Sequence, residues 1–374
     1  MKRPRLRDMD ITVGSLPTGK YNAITDVAGV LVGHETLVRG EGPLKTGLGP
    51  VRSGVTVILP HDGNLFCRKV RAAVHTINGF GKTLGFEEVR ELGVLESPVA
   101  LTGTLNVGLV ADALVEYSLD RNPSIGLETH CVNVVVGETN DGYLNDAHGR
   151  HVRSEHVLRA IASARAGRVA EGSVGAGTGN GCFGWKGGIG TASRVLPETQ
   201  GGFRTGVLVQ SNLISRPRNL VVAGAPVGRH VKPPDYEQPR REPGGSIVIV
   251  IATDAPLTSR QLQRLCVRAG VGLARTGSNW EHGSGDFVIG FSTAEIIEHR
   301  PAALITSCRR LADEGRVLQG LFQAVAESVE EAVLNSMFRA GTMVGRDGNT
   351  RYGLPVDRAA AIVHKYAGAF GSPQ

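Results

Sequence analysis

Aromatic residues are scarce in this chain, at 5% with two tryptophans, and no basic stretch is interleaved with them. Nucleic-acid surfaces combine basic and aromatic side chains, so no nucleic-acid partner is expected. Cysteine is also sparse. Cys67, Cys131, Cys182, Cys266 and Cys308 stand far apart, odd in number and without a Cys-x-x-Cys. That spacing suits neither a zinc site nor a disulfide framework, and reduced thiols in a cytoplasmic protein are expected. Long apolar runs are missing as well. None reaches the ~20 residues that cross a bilayer, which excludes a spanning helix. The basic start, Lys2-Arg3-Pro4-Arg5-Leu6-Arg7, meets Asp8, Asp10 and Thr12 before any apolar segment. It reads as a solvated tail, not as a leader peptide.

Glycine, by contrast, is abundant: 51 residues spread over 374 positions. Many short strands with tight turns and close backbone packing need this. The apolar fraction of 41% supplies a sizeable core, and the formal charge of +6 is scattered. Short strands with glycine turns are expected over residues 12–38. Further strands are expected over residues 54–60, 99–103, 131–136, 189–196, 205–212, 220–223 and 286–291. Apolar residues at helical spacing predict helices over 87–92, behind Thr104 as a cap, and over 154–166. Others follow a Thr258/Gln261 capping box and cover 319–339 and the region around 357–366. Strands come in groups and helices in groups, with no regular alternation. This order predicts an α+β layered fold with largely antiparallel sheets in one composite domain, residues 1–374.

Several motifs fail on spacing. Gly79-Phe80-Gly81-Lys82-Thr83 ends like a phosphate loop, but Thr76 stands where the first glycine is needed. Gly175-Ala176-Gly177-Thr178-Gly179 has Asn180 in place of the third glycine of a dinucleotide fingerprint; a close-packed loop and a ligand-approach loop both suit it. His148, His151 and His156 put no ligand pair on one helical face. His282, ahead of Gly283-Ser284-Gly285-Asp286, lacks the strand-turn-helix setting of a nucleophile elbow. No metal and no cofactor are expected.

One stretch joins two opposed compositions. Gly244-Gly245-Ser246 opens onto Ile247-Val248-Ile249-Val250-Ile251-Ala252. Consecutive β-branched residues without polar alternation predict a strand buried on both faces. Residues 231–243, just before it, are rich in proline and charge and predict a surface tether. Composition alone leaves two meanings open: a linker that ends in Gly-Gly-Ser, or a hydroxyl held at the start of a core strand.

With that stretch go Thr104-Leu105-Asn106-Val107-Gly108, Val136-Gly137-Glu138-Thr139-Asn140-Asp141-Gly142-Tyr143-Leu144-Asn145-Asp146 and Glu171-Gly172-Ser173-Val174-Gly175-Ala176-Gly177-Thr178-Gly179. So do Val207-Leu208-Val209-Gln210-Ser211-Asn212, Gly283-Ser284-Gly285-Asp286 and Thr342-Met343-Val344-Gly345-Arg346-Asp347-Gly348. In this order, from about Asn22 to Leu354, the chain resembles the DmpA-type L-aminopeptidase/D-amidase-esterase family, relatives of the β-peptidyl aminopeptidases. The resemblance implies a four-layer αββα sandwich of the DmpA and ornithine acetyltransferase kind, similar to N-terminal nucleophile hydrolases. It implies a precursor that cuts its own Gly245-Ser246 bond. The products are an α chain, residues 1–245, and a β chain, residues 246–374, assembled as a homotetramer of αβ units.

Under that resemblance Ser246 is the nucleophile. Its freed α-amine, with an ordinary pKa of about 8, is the base. Asn212 donates to the oxyanion, and Tyr143 hydrogen-bonds near the nucleophile or the substrate. Ser284 contacts the Ser246 amine and Asp286 orients Ser284. Asp286 also suits a substrate ammonium, with one methylene less reach than the glutamate some members carry. The implied substrates are short peptides, amino-acid amides and esters, hydrolysed at the N-terminal residue through an acyl-enzyme. Two other functions stay open on the residues. One is a glycine-rich small-molecule binding protein without processing. The other is an acyltransferase of the ornithine acetyltransferase type, whose threonine nucleophile differs from Ser246.

Overall fold

The computed structural model describes residues 3–213, 215–235, 245–313 and 315–369. Residues 236–243, most of the expected tether, and Gly244 lie outside them. Two sheets form the middle of the molecule. The smaller has the order β1-β2-β5-β6, from Leu31–Arg39, Val51–Leu59, Val99–Gly103 and Val135–Thr139. The larger has the order β4-β3-β12-β11-β10-β9. Its strands are Val94–Leu95, Arg68–Gly79, Gly285–Glu298, Ser246–Thr253, Arg204–Asn212 and Gly188–Val195. Short hairpins pair β7 (Gly181–Cys182) with β8 (Trp185–Lys186), and β13 (Met343–Val344) with β14 (Thr350–Arg351).

Alternation along the strands sorts the core into layers. Val248 and Val250 of β11 meet Leu101 and Val135 of the smaller sheet, while Ile247, Ile249 and Ile251 point the other way. There they pack on α4 (Ser259–Arg275) and α5 (Arg316–Arg339) through Leu262, Leu265, Val329 and Val333. The far side of the smaller sheet is covered by α2 (Val107–Arg121) and α3 (Ser154–Ala162), with Leu114 and Val157 against Val55 and Val136. The result is a four-layer αββα sandwich. Helices α1 (Phe86–Leu92) and α6 (Val356–Ala369) complete the helices of the described residues. Two strand pairs are parallel, β5–β6 and β11–β12. The second is joined by the crossover helix α4, as a parallel connection demands.

Side-chain competition explains where the expected boundaries move. The strand expected over 131–136 starts at Val135. Before it, the amides of Asn133 and Val135 bond the Glu96 carboxylate and the Ser97 hydroxyl. Helix α3 stops at Ala162, short of 166, because Arg165 makes a two-way backbone bridge to Val32. Residues 220–223 form no strand; Val222 bridges only Ala225 across a turn in which Ala223 and Gly224 have positive φ. Residues 12–30 carry no strand either. Thr104 is not a helix cap. It opens a 3-10 turn before α2, and its hydroxyl accepts from Lys82 instead.

Helix α5 is buried along almost its whole length, carboxylates included. The fully buried Arg194 of β9 reaches Glu327 at 2.9 Å and Glu331 at 2.7 Å. Arg7 adds a second cation to Glu331, and the amides of Ser15 and Leu16 bond Glu327. Buried charges persist only when paired in this way, so the network ties the N-terminal segment and β9 to α5.

The same contact is too close for a side chain on β9. A Cβ at Gly190 would stand 1.9 Å from the Ala332 carbonyl oxygen, whereas one at Gly108 in α2 meets nothing within 4 Å. Gly190→Ala is expected to lose about 1–3 kcal/mol or more by overpacking. Gly108→Ala should gain about 0.4–1 kcal/mol. Urea unfolding of the two variants, followed by circular dichroism, checks the opposite signs.

Candidate active site

Ser246 is the first residue of β11 and is 2% exposed. Its strand has a neighbour on each side: Ser246 pairs with Asn212 of antiparallel β10 and with Gly285 of parallel β12. Cross-strand partners share a face. Alternation from Val248 and Val250 therefore puts the Ser246 and Asn212 side chains between the two sheets. The end of β6 meets them there, and the Asn140 amide donates to Ser246 Oγ at 3.2 Å. Asn212 Oδ1 accepts from the Gly181 amide at 2.8 Å, which leaves its NH2 as the donating end. The carbonyl ahead of the serine is also held: Gly285 N–H donates to Gly245 O at 3.2 Å.

Ser284 and Asp286 lie on the opposite face. Asp286 pairs with Ile247, whose side chain points toward the helices. Ser284 Oγ donates to Asp286 Oδ1 at 2.7 Å, so the two do share a side. Asn78 of β3 fixes their loop, donating to Ser284 O at 2.5 Å and Glu281 O at 3.0 Å. Asp286 is fully buried and its second oxygen, Oδ2, has no partner. Burial raises its pKa to about 6, against the Ser284 hydrogen bond that lowers it. The Ser246 hydroxyl and the Ser284–Asp286 pair thus flank the β11 backbone at its starting residue, one on each face.

A cavity of about 390 Å³ opens beside this junction, lined by Gly245, Ser246, Asn140, Glu138, Lys82 and Thr104 among others. Glu138 and Lys82 are the charged residues of that lining. Burial raises the Glu138 pKa, opposed by Lys82. Phe80 and Gly81, from the segment rejected as a phosphate loop, also line it. Tyr143 is not in the lining. Its ring carries the Arg351 guanidinium at 4.1 Å, and its carbonyl accepts from Asn349. The Gly175 loop is engaged inside the fold, its Gly175 and Ala176 amides bonding the Thr36 and Thr56 hydroxyls. A cradle for an anion needs those amides free.

The model of peptidase family S58 matches residues 22–351. The chain belongs to peptidase family S58. It is 41% identical over 375 residues to the β-peptidyl aminopeptidase BapA of Sphingosinicella microcystinivorans, covering 97% of this chain and 92% of that one. Among solved structures it resembles the PH0078 protein from Pyrococcus horikoshii OT3 (TM-score 0.90, 47% identity, 98% and 99% of the two chains). It also resembles the L-aminopeptidase D-Ala-esterase/amidase of Ochrobactrum anthropi (TM-score 0.87, 38% identity, 97% and 99%). That protein is described as a prototype for the serine aminopeptidases and a new variant of the Ntn hydrolase fold.

In this S58 chain several residues support the junction that the motifs did not assign. Gln210, two positions before Asn212, crosses between the sheets to Thr102 O, Thr139 Oγ1 and Ala176 O. Lys186 is fully buried and donates to Gly177 O and Gly187 O; burial, then Arg351, lowers its pKa to about 7. It braces the glycine loop whose Gly181 amide orients Asn212. A polar residue on an inward position of a strand, as at Gln210, was the available signal. The roles of Asn140, Glu138 and Lys82 had none, because they depend on which loops meet.

The Asp286 carboxyl yields a pH prediction. Its folded pKa of about 6 lies above the ordinary 3.8. The folded state therefore keeps its proton longer than the unfolded chain, and its contribution to stability falls as pH rises from about 4 to 6. Asp286→Asn removes that fall. Relative to wild type, the variant is expected to gain about 2–3 kcal/mol on going from pH 4 to pH 7. Chemical denaturation at the two pH values measures it; a constant difference between the proteins contradicts the assignment.

Proposed function

We propose that this chain is a self-processing serine aminopeptidase in which the Gly245–Ser246 bond is cut and Ser246 becomes both nucleophile and N-terminus. Members of the family to which it belongs hydrolyse peptide bonds, and the comparisons support amide and ester substrates as well. One observation carries the assignment of the residue. Ser246 stands at the start of a central strand, its hydroxyl toward a cavity and its preceding carbonyl held by the Gly285 amide.

The chemistry follows from that placement. In the precursor Ser246 Oγ attacks the Gly245 carbonyl carbon, and the Gly285 N–H faces the oxygen on which charge develops. The C–N bond breaks, the nitrogen takes a proton, and an ester remains. Water hydrolyses the ester, leaving a Gly245 carboxylate and a free Ser246 amine. That amine, near neutral in pKa, accepts the hydroxyl proton when Oγ attacks a substrate. Asn212 donates its amide N–H to the substrate oxyanion; such a donor is worth about 10²–10³ in rate. Ser284, held by Asp286, steadies the amine. Tyr143, its ring stacked against the Arg351 guanidinium, hydrogen-bonds near the nucleophile or the substrate, a role that rests on the family resemblance. Water then releases the acyl group from Ser246.

Substrates are N-terminal residues of short peptides, amides and esters. Glu138 takes the substrate ammonium, because it is the carboxylate in the cavity lining; Asp286 sits on the other face of the sheet. The products, an α chain of residues 1–245 and a β chain of residues 246–374, stay together through the six-stranded sheet. Assembly as a tetramer of αβ units rests on the family resemblance, and a cytoplasmic location on the sparse, scattered cysteines. Among the described residues no helix is long and apolar enough to cross a membrane.

A denaturing gel of purified protein is expected to show two bands, near two-thirds and one-third of the chain, and N-terminal sequencing of the smaller should begin at Ser246. Ser246→Ala should give one full-length band and no hydrolysis of alanyl p-nitroanilide. A variant that is still cut, or still active, removes Ser246 from both roles.

A further inference from the structure

The cavity beside Ser246 holds two opposite charges side by side. Lys82 Nζ lies 3.7 Å from Glu138 Oε1, and the Lys82 backbone N–H donates to the same oxygen at 3.1 Å. The two differ in depth. The Glu138 side chain is 4% exposed and that of Lys82 54%. Thr104 Oγ1 accepts from Lys82 Nζ at 2.7 Å and holds the ammonium on the wall. Gly81 makes room for this arrangement. A Cβ there would stand 3.1 Å from Glu138 Oε1 and 3.3 Å from the Cα of Gly285, the partner of Ser246. The charge pair and the nucleophile therefore border one small space.

Such a pair discriminates between substrates. A substrate that brings only an ammonium to Glu138 sets a second cation beside Lys82, around a carboxylate already neutralised. Like charges at close range repel; solvent screens the half-exposed Lys82 in part, and the buried Glu138 between them much less. A substrate that brings an ammonium and a carboxylate on neighbouring atoms meets both charges with opposite ones, and the four alternate in sign. Resting on the aminopeptidase reading of the site, we propose that Lys82 and Glu138 together select acyl groups bearing a carboxylate next to the ammonium. Aspartyl residues are the class that fits. In a β-linked aspartyl residue both charges sit on one carbon, and the scissile carbonyl is one methylene away, directed toward Ser246. An α-linked aspartyl residue offers the same charges with the carboxylate farther out. Hydrolysis consumes one water, breaks the acyl–nitrogen bond and releases aspartate and the amine.

The test compares β-aspartyl, α-aspartyl, β-alanyl and α-alanyl p-nitroanilides on the processed protein. Within each linkage the aspartyl substrate is expected to exceed the alanyl one by tenfold or more in kcat/KM. Lys82→Met should cut that ratio by at least tenfold, chiefly through KM, and Lys82→Arg should retain most of it. Wild-type preference for the alanyl substrates, or a Lys82→Met ratio equal to wild type, overturns the proposal. A Lys82-dependent preference confined to the α-linked pair overturns the assignment of the β-linkage alone. Turnover of none of the four by processed protein overturns the aminopeptidase reading itself, and the silent alanyl arms distinguish that failure from a mere lack of aspartyl preference.

Discussion

The two hydrogen-bond ladders on either side of β11 fix where Ser246 can be. An edge strand would leave its first residue free to fray, but β11 has β10 on one side and β12 on the other, both in register with Ser246 itself. Its side chains are buried to the end, and all eight positions of the strand are enclosed. The hydroxyl cannot choose a face, because the period of two that buries Val248 and Val250 between the sheets commits Ser246 to the same side. Asn212 follows by register, and the Asn140 amide by the approach of the smaller sheet. The site is therefore a by-product of sheet pairing: shifting β11 by one residue would turn the serine toward the helices and put Ile247 in the cavity.

The same placement suits a bond that is to be broken. The proposed cut falls at the boundary of the strand, so the ladder from Ser246 onward keeps its partners whether or not Gly245 is attached. Ile247, Val248, Ile249, Val250 and Ile251 are fully buried, and each such side chain is worth about 1.5–3 kcal/mol. Together that is on the order of 10 kcal/mol of gross burial within this one strand, more than a single peptide bond is needed to maintain. Of the segment ahead of the cut, Val231 belongs to the core, and the proline- and charge-rich composition between it and Ser246 is that of a tether whose end can part from the strand.

The sequence made the strand legible and the serine only in company. Five β-branched residues in a row admit little but a buried strand, and the helical spacing of α4 and α5 was equally plain. The Ser284–Asp286 hydrogen bond was foreseeable from their separation of two. What pattern could not reveal was which sheet face each group occupies. Asp286 suited a substrate ammonium on paper, but pairing with Ile247 puts it behind the sheet, and the carboxylate that lines the cavity is Glu138. Glu138 stands in a strand where every residue is buried, so its alternation carries no sign of an opening. The strand expected over 131–136 slid forward for a related reason: Glu96 and Ser97 satisfy the backbone there, and long-range side-chain bonds leave no trace in a local window. Thr104 looked like a helix cap because its chemistry is right for one; Lys82, distant in sequence, engages it instead.

Charge compensation separates Glu331, which helps to hold the fold, from the two carboxylates near Ser246. Glu331 is as deeply buried as any residue here, and burial pushes its pKa up, yet Arg194, Arg7 and Asn22 outweigh that and hold it below the ordinary value. Asp286, equally inaccessible, has one serine hydroxyl and an oxygen with no partner, and burial prevails. Burial raises Glu138 too, against the Lys82 ammonium, the Lys82 backbone amide and a Thr104 hydrogen bond. An arginine beside either would lower its pKa, as Arg194 and Arg7 do for Glu331 on α5. It would also fill the cavity or silence the group. Burial also raises Glu171 and Glu330 inside the fold; what sets Asp286 and Glu138 apart is their place beside Ser246, where the proposed reaction brings a new amine and a substrate charge. The molecule therefore completes its electrostatics only when it has been cut and has bound something.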